Sequence, residues 1–171
     1  VCEFGCGTGI NLLLLRALSP HARLVGCDWA VASQKILQQM ARETGSAIEG
    51  RRFNMLTGAG DDGSVGPDTA VLTVHALEQL GAGWRPFLDH LRARRPGLCV
   101  HIEPLLELYD PADPLADLAR RYHLKRGYLQ GFVPEVQALA ASGEAEIIAL
   151  RRTAFAGLYH EAFSLLVWRW R

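Results

Sequence analysis

The 171-residue sequence has no excess charge of either sign, because 18 Lys and Arg balance 18 Asp and Glu. Binding driven by nucleic-acid phosphates depends on clustered Lys and Arg, so this balance argues against a nucleic-acid partner. The longest apolar runs are only a few residues, too short for a membrane span or a signal peptide. The composition therefore predicts one globular domain with neither a membrane nor a nucleic-acid partner.

Cysteine is scarce, with four residues in the chain, and their spacing does not match a metal-binding motif. The sequence contains no C-x-x-C and no H-x-x-x-H pattern, so we predict no metal site. Cys2 and Cys27 fall in predicted buried strands, where a free thiol behaves as a small apolar side chain. Reduced thiols are typical of cytoplasmic proteins, and the cytoplasm is the location that we expect.

What the chain does contain is a glycine-rich turn between a strand and a helix. Val1-Cys2-Glu3-Phe4 is typical of the end of a buried strand, and a helix is predicted from about Ile10 to Leu18. Between them Gly5, Gly7 and Gly9 alternate, which lets the backbone turn tightly and approach a ligand closely. A dinucleotide-binding loop would carry its third glycine one position later. The spacing disfavours a nicotinamide-dependent oxidoreductase, which stays open as an alternative.

A carboxylate follows the next predicted strand. That strand covers Arg23 to Cys27 and is followed by Asp28, at a point where a carboxylate can accept hydrogen bonds from both hydroxyls of a ribose. The motif from Glu3 to Gly9, together with Asp28, resembles motif I and the following acidic position of the class I S-adenosylmethionine-dependent methyltransferases. The resemblance implies a three-layer, Rossmann-like α/β fold with a mostly parallel sheet and an antiparallel last strand. It also implies S-adenosylmethionine as the cofactor.

The resemblance further implies a set of cofactor-binding positions. The loop backbone would pass close to the ribose and the amino-acid part of the cofactor, with Glu3 near the methionine end. Asn54 stands where the family often has an Asp that accepts from the adenine amino group. An Asn carbonyl can accept that bond as well, but the departure leaves open a catalytically silent domain. The expected cofactor-binding residues are Glu3, Gly5, Cys6, Gly7, Gly9, Asp28, Trp29, Asn54 and Met55.

The rest of the chain predicts alternating helices and strands. Residues 105–142 are interpreted as a helical insertion that is longer than the minimal fold requires. The predicted helices are Ala30–Thr44, Trp84–Arg94, Leu115–Lys125 and Tyr128–Ala141. The predicted strands are Glu49–Phe53, Asp68–Val74, Leu98–Glu103, Glu146–Arg152 and Ala162–Trp170, with Thr57–Pro67 as a loop.

Polar side chains follow two of these strands, at the edge where ligands bind in open α/β sheets. His75 comes directly after Asp68–Val74, and Glu103 ends the next strand. A hydroxyl acceptor of a methyl group must be positioned and deprotonated, and histidine suits that task near neutral pH. We therefore expect His75 to be the base and Glu103 to orient it or to bind substrate hydroxyls. The residues expected to bind a small polar acceptor, such as a sugar, are Glu78, Tyr109, His123, Arg126, Tyr159 and His160.

The chain begins inside its first predicted strand, whereas class I methyltransferases usually carry one or two helices upstream. We therefore expect residues 1–171 to form a single methyltransferase domain that lacks those helices. The sequence leaves the methyl acceptor and the oligomeric state open.

Overall fold

The computed structural model describes residues 1–153 and 163–171 and is built around a mixed sheet of eight strands. The strands are β1 (Cys2–Phe4), β2 (Leu24–Asp28), β3 (Ile48–Asn54), β4 (Ala59–Gly60), β5 (Ala70–Val74), β6 (Leu98–Glu103), β7 (Ala145–Arg151) and β8 (Ser164–Trp170). The helices are α1 (Ile10–Leu18), α2 (Val31–Thr44), α3 (Arg85–Arg94), α4 (Pro114–Arg126) and α5 (Phe132–Ala141), with short 3₁₀ helices at Leu77–Leu80 and Leu106–Leu108.

The spatial order of the strands is β4-β3-β2-β1-β5-β6-β8-β7. Strands β3, β2, β1, β5 and β6 pair in parallel, whereas β8 is antiparallel to both β6 and β7. This confirms the predicted mostly parallel α/β sheet with an antiparallel last strand. The order reverses at β1, which lies between β2 and β5, and open α/β sheets bind ligands at such a reversal.

Two apolar cores cover the sheet. The main core joins Phe4 of β1 to the apolar faces of α3 and α5, including Phe87 and Phe132. A second core places Leu12 of α1 and Leu37 of α2 against β2 and β3. Strand β1 is buried throughout, as a central parallel strand is expected to be, although its middle residue is Glu3.

Two differences from the predicted elements have visible causes. The helix predicted from Tyr128 begins at Phe132, because Gly127 and Gly131 adopt left-handed φ values of 65° and 78°. The segment predicted as the loop Thr57–Pro67 contains β4, which pairs with the end of β3. Its pairing is only two residues long, so no alternating pattern marked it in the sequence.

The same segment carries a buried charge. Asp62 is 4% exposed, and its Oδ2 lies 3.1 Å from Nε2 of His90 and 2.8 Å from Nε of Arg94. Both partners belong to α3. The connection between β3 and β5 is thus pinned to α3 by the ion pair with Arg94 and by the contact with His90, an imidazole whose pKa is lowered by burial.

The region predicted as an insertion, residues 105–142, divides between the main core and a separate small cluster. Phe132, Val133 and Val136 of α5 lie in the main core. Ala116 and Ala119 of α4 form a separate small cluster with Tyr109. The helix α5 therefore belongs to the layer that covers the sheet, and α4 lies outside it.

The described helices are short, and the longest, α2, has 14 residues. None of them is long and apolar enough to cross a membrane.

Candidate active site

The glycine turn after β1 has a backbone that few side chains allow. Gly5, Gly7 and Gly9 have φ values of 70°, 51° and 79°. A Cβ on Gly5 would lie 2.4 Å from Cβ of Ala76, and one on Gly9 would lie 2.2 Å from Cδ2 of Leu37. A Cβ on Gly7 would meet no atom of the described residues within 4 Å. Packing therefore requires Gly5 and Gly9, whereas Gly7 faces space that a ligand can occupy.

Asp28 ends β2 beside this turn and is bonded to its backbone. Its Oδ2 accepts from the Gly7 N–H at 3.0 Å, and its Oδ1 accepts from the Ala30 N–H at 2.9 Å. The carboxylate thus fixes the middle of the glycine turn. Each oxygen has a further lone pair, so Asp28 can also accept from the hydroxyls of a ligand.

Glu3 lies beneath the turn and is 1% exposed. Its Oε1 accepts from the Asn11 side chain at 2.7 Å, whereas Oε2 is buried without a hydrogen-bond partner among the described residues. Burial raises the pKa of Glu3 to about 7, the Asn11 bond opposes this, and the nearby charge of Asp28 adds to it. A buried carboxylate oxygen without a donor is satisfied by its own proton or by a donor from a ligand.

A cavity of about 510 Å³ opens at the carboxyl edge of the sheet, where β2, β3 and β5 end. Its volume lies within the range of cofactor pockets. It brings together six predicted site residues, namely Gly5, Asp28, Trp29, Asn54, Met55 and His75. The lining residues that sequence reasoning missed are Phe53, Leu56, Ala76, Gln79 and Leu80. All five lie within two residues of a predicted site residue, at the end of β3 or in the segments that follow β3 and β5, which is the signal that could have found them.

The predicted cofactor-binding side chains are presented in different ways. Trp29 is 69% exposed, so its indole can pack against a flat ligand group. The side-chain carbonyl of Asn54 accepts from the Leu56 N–H at 2.9 Å, which ties it to its own loop. The side chain of Cys6 is buried in the second core beside Leu12, so only its backbone belongs to the turn's ligand-facing surface.

His75 reaches the cavity from a strained backbone. Its φ is 52°, in the left-handed region that is uncommon for residues other than glycine. Its Nδ1 lies 3.3 Å from Oε2 of Glu78, a residue that is 6% exposed. The hydrogen bond with Glu78 raises the pKa of His75, and partial burial opposes that shift. A histidine oriented by a carboxylate in a cavity is a common arrangement for a general base.

Glu103 lies behind the turn that follows His75 and is fully buried. Its Oε1 accepts from the N–H groups of Ala76 and Leu77 at 3.0 and 3.1 Å, and its Oε2 accepts from the N–H of Glu78 at 3.2 Å. Burial raises the pKa of Glu103 to about 7 against these hydrogen bonds. Of the two predicted catalytic residues, the structure brings only His75 to the cavity wall.

Two predicted acceptor-binding residues lie in packing positions. Tyr109 is 4% exposed in the small cluster beside α4. His123 is fully buried, and its Nε2 lies 2.7 Å from the Leu129 carbonyl oxygen. Neither residue is among those that line the cavity.

The other predicted acceptor-binding residues are scattered. Glu78 is beside His75, as described above. Arg126 is exposed, and its Nε donates to the Tyr128 hydroxyl at 3.2 Å. Tyr159 and His160 fall outside the described residues.

The described residues contain neither a candidate metal site nor a disulfide bond. No group of three His, Cys, Asp or Glu side chains in residues 1–153 and 163–171 could hold a metal ion. Cys2, Cys6, Cys27 and Cys99 are all buried free thiols.

Comparison with known proteins finds likeness in structure only, since no family model and no curated protein matches the sequence. PigF with S-adenosylhomocysteine matches with a TM-score of 0.67 and 15% identity, covering 98% of this chain and 49% of that chain. The geranyl diphosphate C-methyltransferase from Streptomyces coelicolor A3(2) matches with a TM-score of 0.65 and 11% identity, covering 99% of this chain and 72% of that chain. NcsB1, an O-methyltransferase from neocarzinostatin biosynthesis solved with S-adenosylmethionine, matches with a TM-score of 0.62 and 14% identity. The match covers 99% of this chain and 48% of that chain.

The protein has the class I methyltransferase fold. It spans about half the length of PigF and NcsB1. A structure described as a pericyclic reaction enzyme matches too, with a TM-score of 0.61, 16% identity and coverage of 99% and 42%. The methyltransferase fold therefore does not fix the reaction, and the function has to be argued from the site.

Proposed function

We propose that this protein transfers a methyl group from S-adenosylmethionine to a small polar molecule. The observation that carries the proposal is one cavity in which an open glycine turn, the Asp28 carboxylate and His75 meet. When bound, S-adenosylmethionine supplies an already activated methyl group, so the chain's own residues have to bind, orient and deprotonate.

The residues present fit that cofactor. The turn from Gly5 to Gly9 would hold its amino acid and ribose, with the space beside Gly7 left open by the missing Cβ. Asp28 would accept from the ribose hydroxyls, and Trp29 and Met55 would flank the adenine. Asn54 would contribute its remaining carbonyl lone pair to the adenine amino group.

His75 is the cavity residue suited to remove a proton from an acceptor hydroxyl. Glu78 orients the imidazole and stabilises the charge that it gains. His75 would accept the hydroxyl proton as the acceptor oxygen bonds to the methyl carbon, while the carbon–sulfur bond of the cofactor breaks and S-adenosylhomocysteine leaves. A hydroxyl-bearing acceptor, for example a sugar, matches this arrangement, and the buried free thiols support a cytoplasmic location.

The test is release of S-adenosylhomocysteine from S-adenosylmethionine with a panel of hydroxyl-bearing acceptors. We expect His75→Ala to lower the turnover rate about a hundredfold to ten thousandfold, because a positioned base contributes that much. The affinity for S-adenosylhomocysteine should stay nearly unchanged. His21→Ala removes an exposed histidine from the loop between α1 and β2 and should leave both quantities unchanged.

Each contrary outcome is distinct. Near-normal turnover in a destabilised His75→Ala variant would remove His75 from the mechanism. Cofactor binding without methyl transfer to any acceptor would favour a silent cofactor-binding domain. NAD retained in the purified protein would favour an oxidoreductase.

A further inference from the structure

We infer that Glu103 is a positioning residue, whose carboxylate holds the turn Ala76–Glu78 in the conformation that presents His75 to the cavity. The inference rests on the proposed function only for what His75 does there. The contacts that carry it belong to the fold itself and can be tested without methyl transfer.

The first of these contacts are hydrogen bonds to the start of a helix. The 3₁₀ helix Leu77–Leu80 begins with N–H groups that have no partner inside the helix. The residue before it is Ala76, whose methyl group cannot accept a hydrogen bond. Glu103 performs this capping from another strand, since its two oxygens accept the N–H groups of Ala76, Leu77 and Glu78.

The second observation is the backbone of His75. A left-handed φ of 52° is unfavourable for a side chain with a Cβ and persists only where neighbouring bonds impose it. At His75 itself, the backbone N–H donates to the Ile102 carbonyl at 3.1 Å. After His75, Glu103 accepts the N–H groups of the next three residues, 76–78. Strand β6 therefore supplies both anchors of the His75 conformation.

The carboxylate of Glu103 is itself held from behind. Thr73 makes a hydrogen bond to Glu103, and its Oγ1 lies 2.9 Å from Nδ1 of His101. His101 is fully buried, and burial lowers its pKa to about 3, so its imidazole is neutral. The Thr73 hydroxyl donates its hydrogen to Glu103, so toward His101 its oxygen can only accept. The imidazole proton of His101 therefore lies on Nδ1. The three side chains form a chain that fixes the carboxylate.

The turn held by Glu103 also touches the glycine turn. A Cβ on Gly5 would lie 2.4 Å from Cβ of Ala76, so these two segments are packed against one another. Glu103 thus sets His75 and Glu78 relative to the loop on which the cofactor is proposed to bind.

The experiment measures backbone amide exchange at residues 76–78 and the pKa of His75 by NMR in Glu103→Gln. Glutamine offers one carbonyl oxygen and an NH₂ group, which faces an N–H donor, so at least one of the three bonds is lost. At a pH of about 8, where Glu103 is ionised, we expect amide exchange to rise about tenfold or more, because hydrogen bonds to a charged group are the strong ones. The pKa of His75 should fall toward its ordinary value, because Glu78 loses its alignment and because the Glu103 charge, which also raises this pKa, is removed.

Two further variants make the result specific. Thr73→Val keeps the Glu103 side chain and removes the hydroxyl behind it, so faster amide exchange at residues 76–78 in this variant comes from loosening of the turn. This variant also serves if Glu103→Gln does not fold. The matched control is Glu107→Gln, which removes a carboxylate that accepts the Gly131 N–H at 2.8 Å at an exposed site and should change neither readout.

Unchanged amide exchange and unchanged His75 pKa in folded Glu103→Gln and Thr73→Val proteins would overturn the inference. A wild-type protein without methyl transfer would end the proposed function and leave these measurements unaffected.

Discussion

Two buried carboxyl groups, Glu3 and Glu103, lie on neighbouring sides of the candidate site, and burial raises the pKa of each to about 7. In the unfolded chain a Glu titrates near pH 4.5. A group whose pKa is higher in the folded state binds its proton more readily there. Its contribution to stability is therefore complete below the unfolded pKa and is lost as the pH rises through the folded value.

The free energy of unfolding should accordingly decrease as the pH rises from about 4.5 to about 7. For Glu3 alone the loss is roughly 3 kcal/mol, since each pKa unit corresponds to about 1.4 kcal/mol. Glu3→Gln keeps an acceptor for Asn11 and cannot ionise, so it should flatten this part of the profile. Urea unfolding at about pH 5 and about pH 7.5 measures the difference.

The control for this prediction is Glu43→Gln, at an exposed position on α2, which should keep the wild-type profile. An unchanged pH profile in Glu3→Gln would show that Glu3 is ionised throughout this range. The expected cost of an ionised Glu3 near neutral pH is consistent with a role at a ligand site, where function takes precedence over stability.

At the scale of elements, local signals predicted α1 and β6 with the bounds that the structure shows. For α1 the signals are Gly9 before it and Ser19-Pro20 after it, both readable from the chain alone. The antiparallel strand β4 was missed because its two residues are defined by pairing with β3. The predicted start of α5 at Tyr128 was wrong, because the left-handed conformations of Gly127 and Gly131 do not show in the apolar periodicity of the sequence.

The candidate site divides in the same way. Gly5, Asp28 and His75 could be predicted because each directly follows a strand, and parallel strands end at one edge. Whether Tyr109 or His123 faces the cavity depends on how α4 packs, which no local pattern reveals. The capping role of Glu103 needs three-dimensional knowledge too, since its partners are more than twenty residues earlier in the chain.

The connection between β3 and β5 gives a prediction at this scale. Arg94→Gln removes the Arg94 guanidinium from Asp62 and leaves the buried carboxylate with His90 and the Ser64 N–H. Unpairing a fully buried ion pair costs roughly 3–5 kcal/mol, and because Arg94 itself is 48% exposed we expect a smaller loss of about 2 kcal/mol in the free energy of unfolding. The matched control on the same helix is Arg92→Gln, which breaks an exposed pair with Glu144 and should cost less than about 1 kcal/mol. Urea unfolding near pH 7.5 measures both, and equal losses would contradict the pinning of this segment by Asp62.

For the whole molecule, the cavity lies where the sheet changes direction. Its walls come from the ends of strands on both sides of β1, with Asp28 and Asn54 on one side and His75 on the other. A ligand in this place contacts both halves of the sheet. Its binding energy is therefore available only when the complete fold is formed, and binding should stabilise the folded state as a whole.

Thermal unfolding with S-adenosylhomocysteine tests this directly. At about a hundred times its Kd the ligand adds about 2.7 kcal/mol to the free energy of unfolding, which for a domain of this size raises the Tm by roughly 5–10 °C.

Gly7→Ala should abolish that shift, because its methyl group would enter the space that the ligand needs. Gly45→Ala is the matched control, since Gly45 has a similar left-handed φ of 64° and no described atom within 4 Å of its Cβ position. Both variants should lose similar stability through backbone strain, but only Gly45→Ala should keep the ligand-induced shift. A full shift in Gly7→Ala would mean that the glycine turn is not where S-adenosylhomocysteine binds.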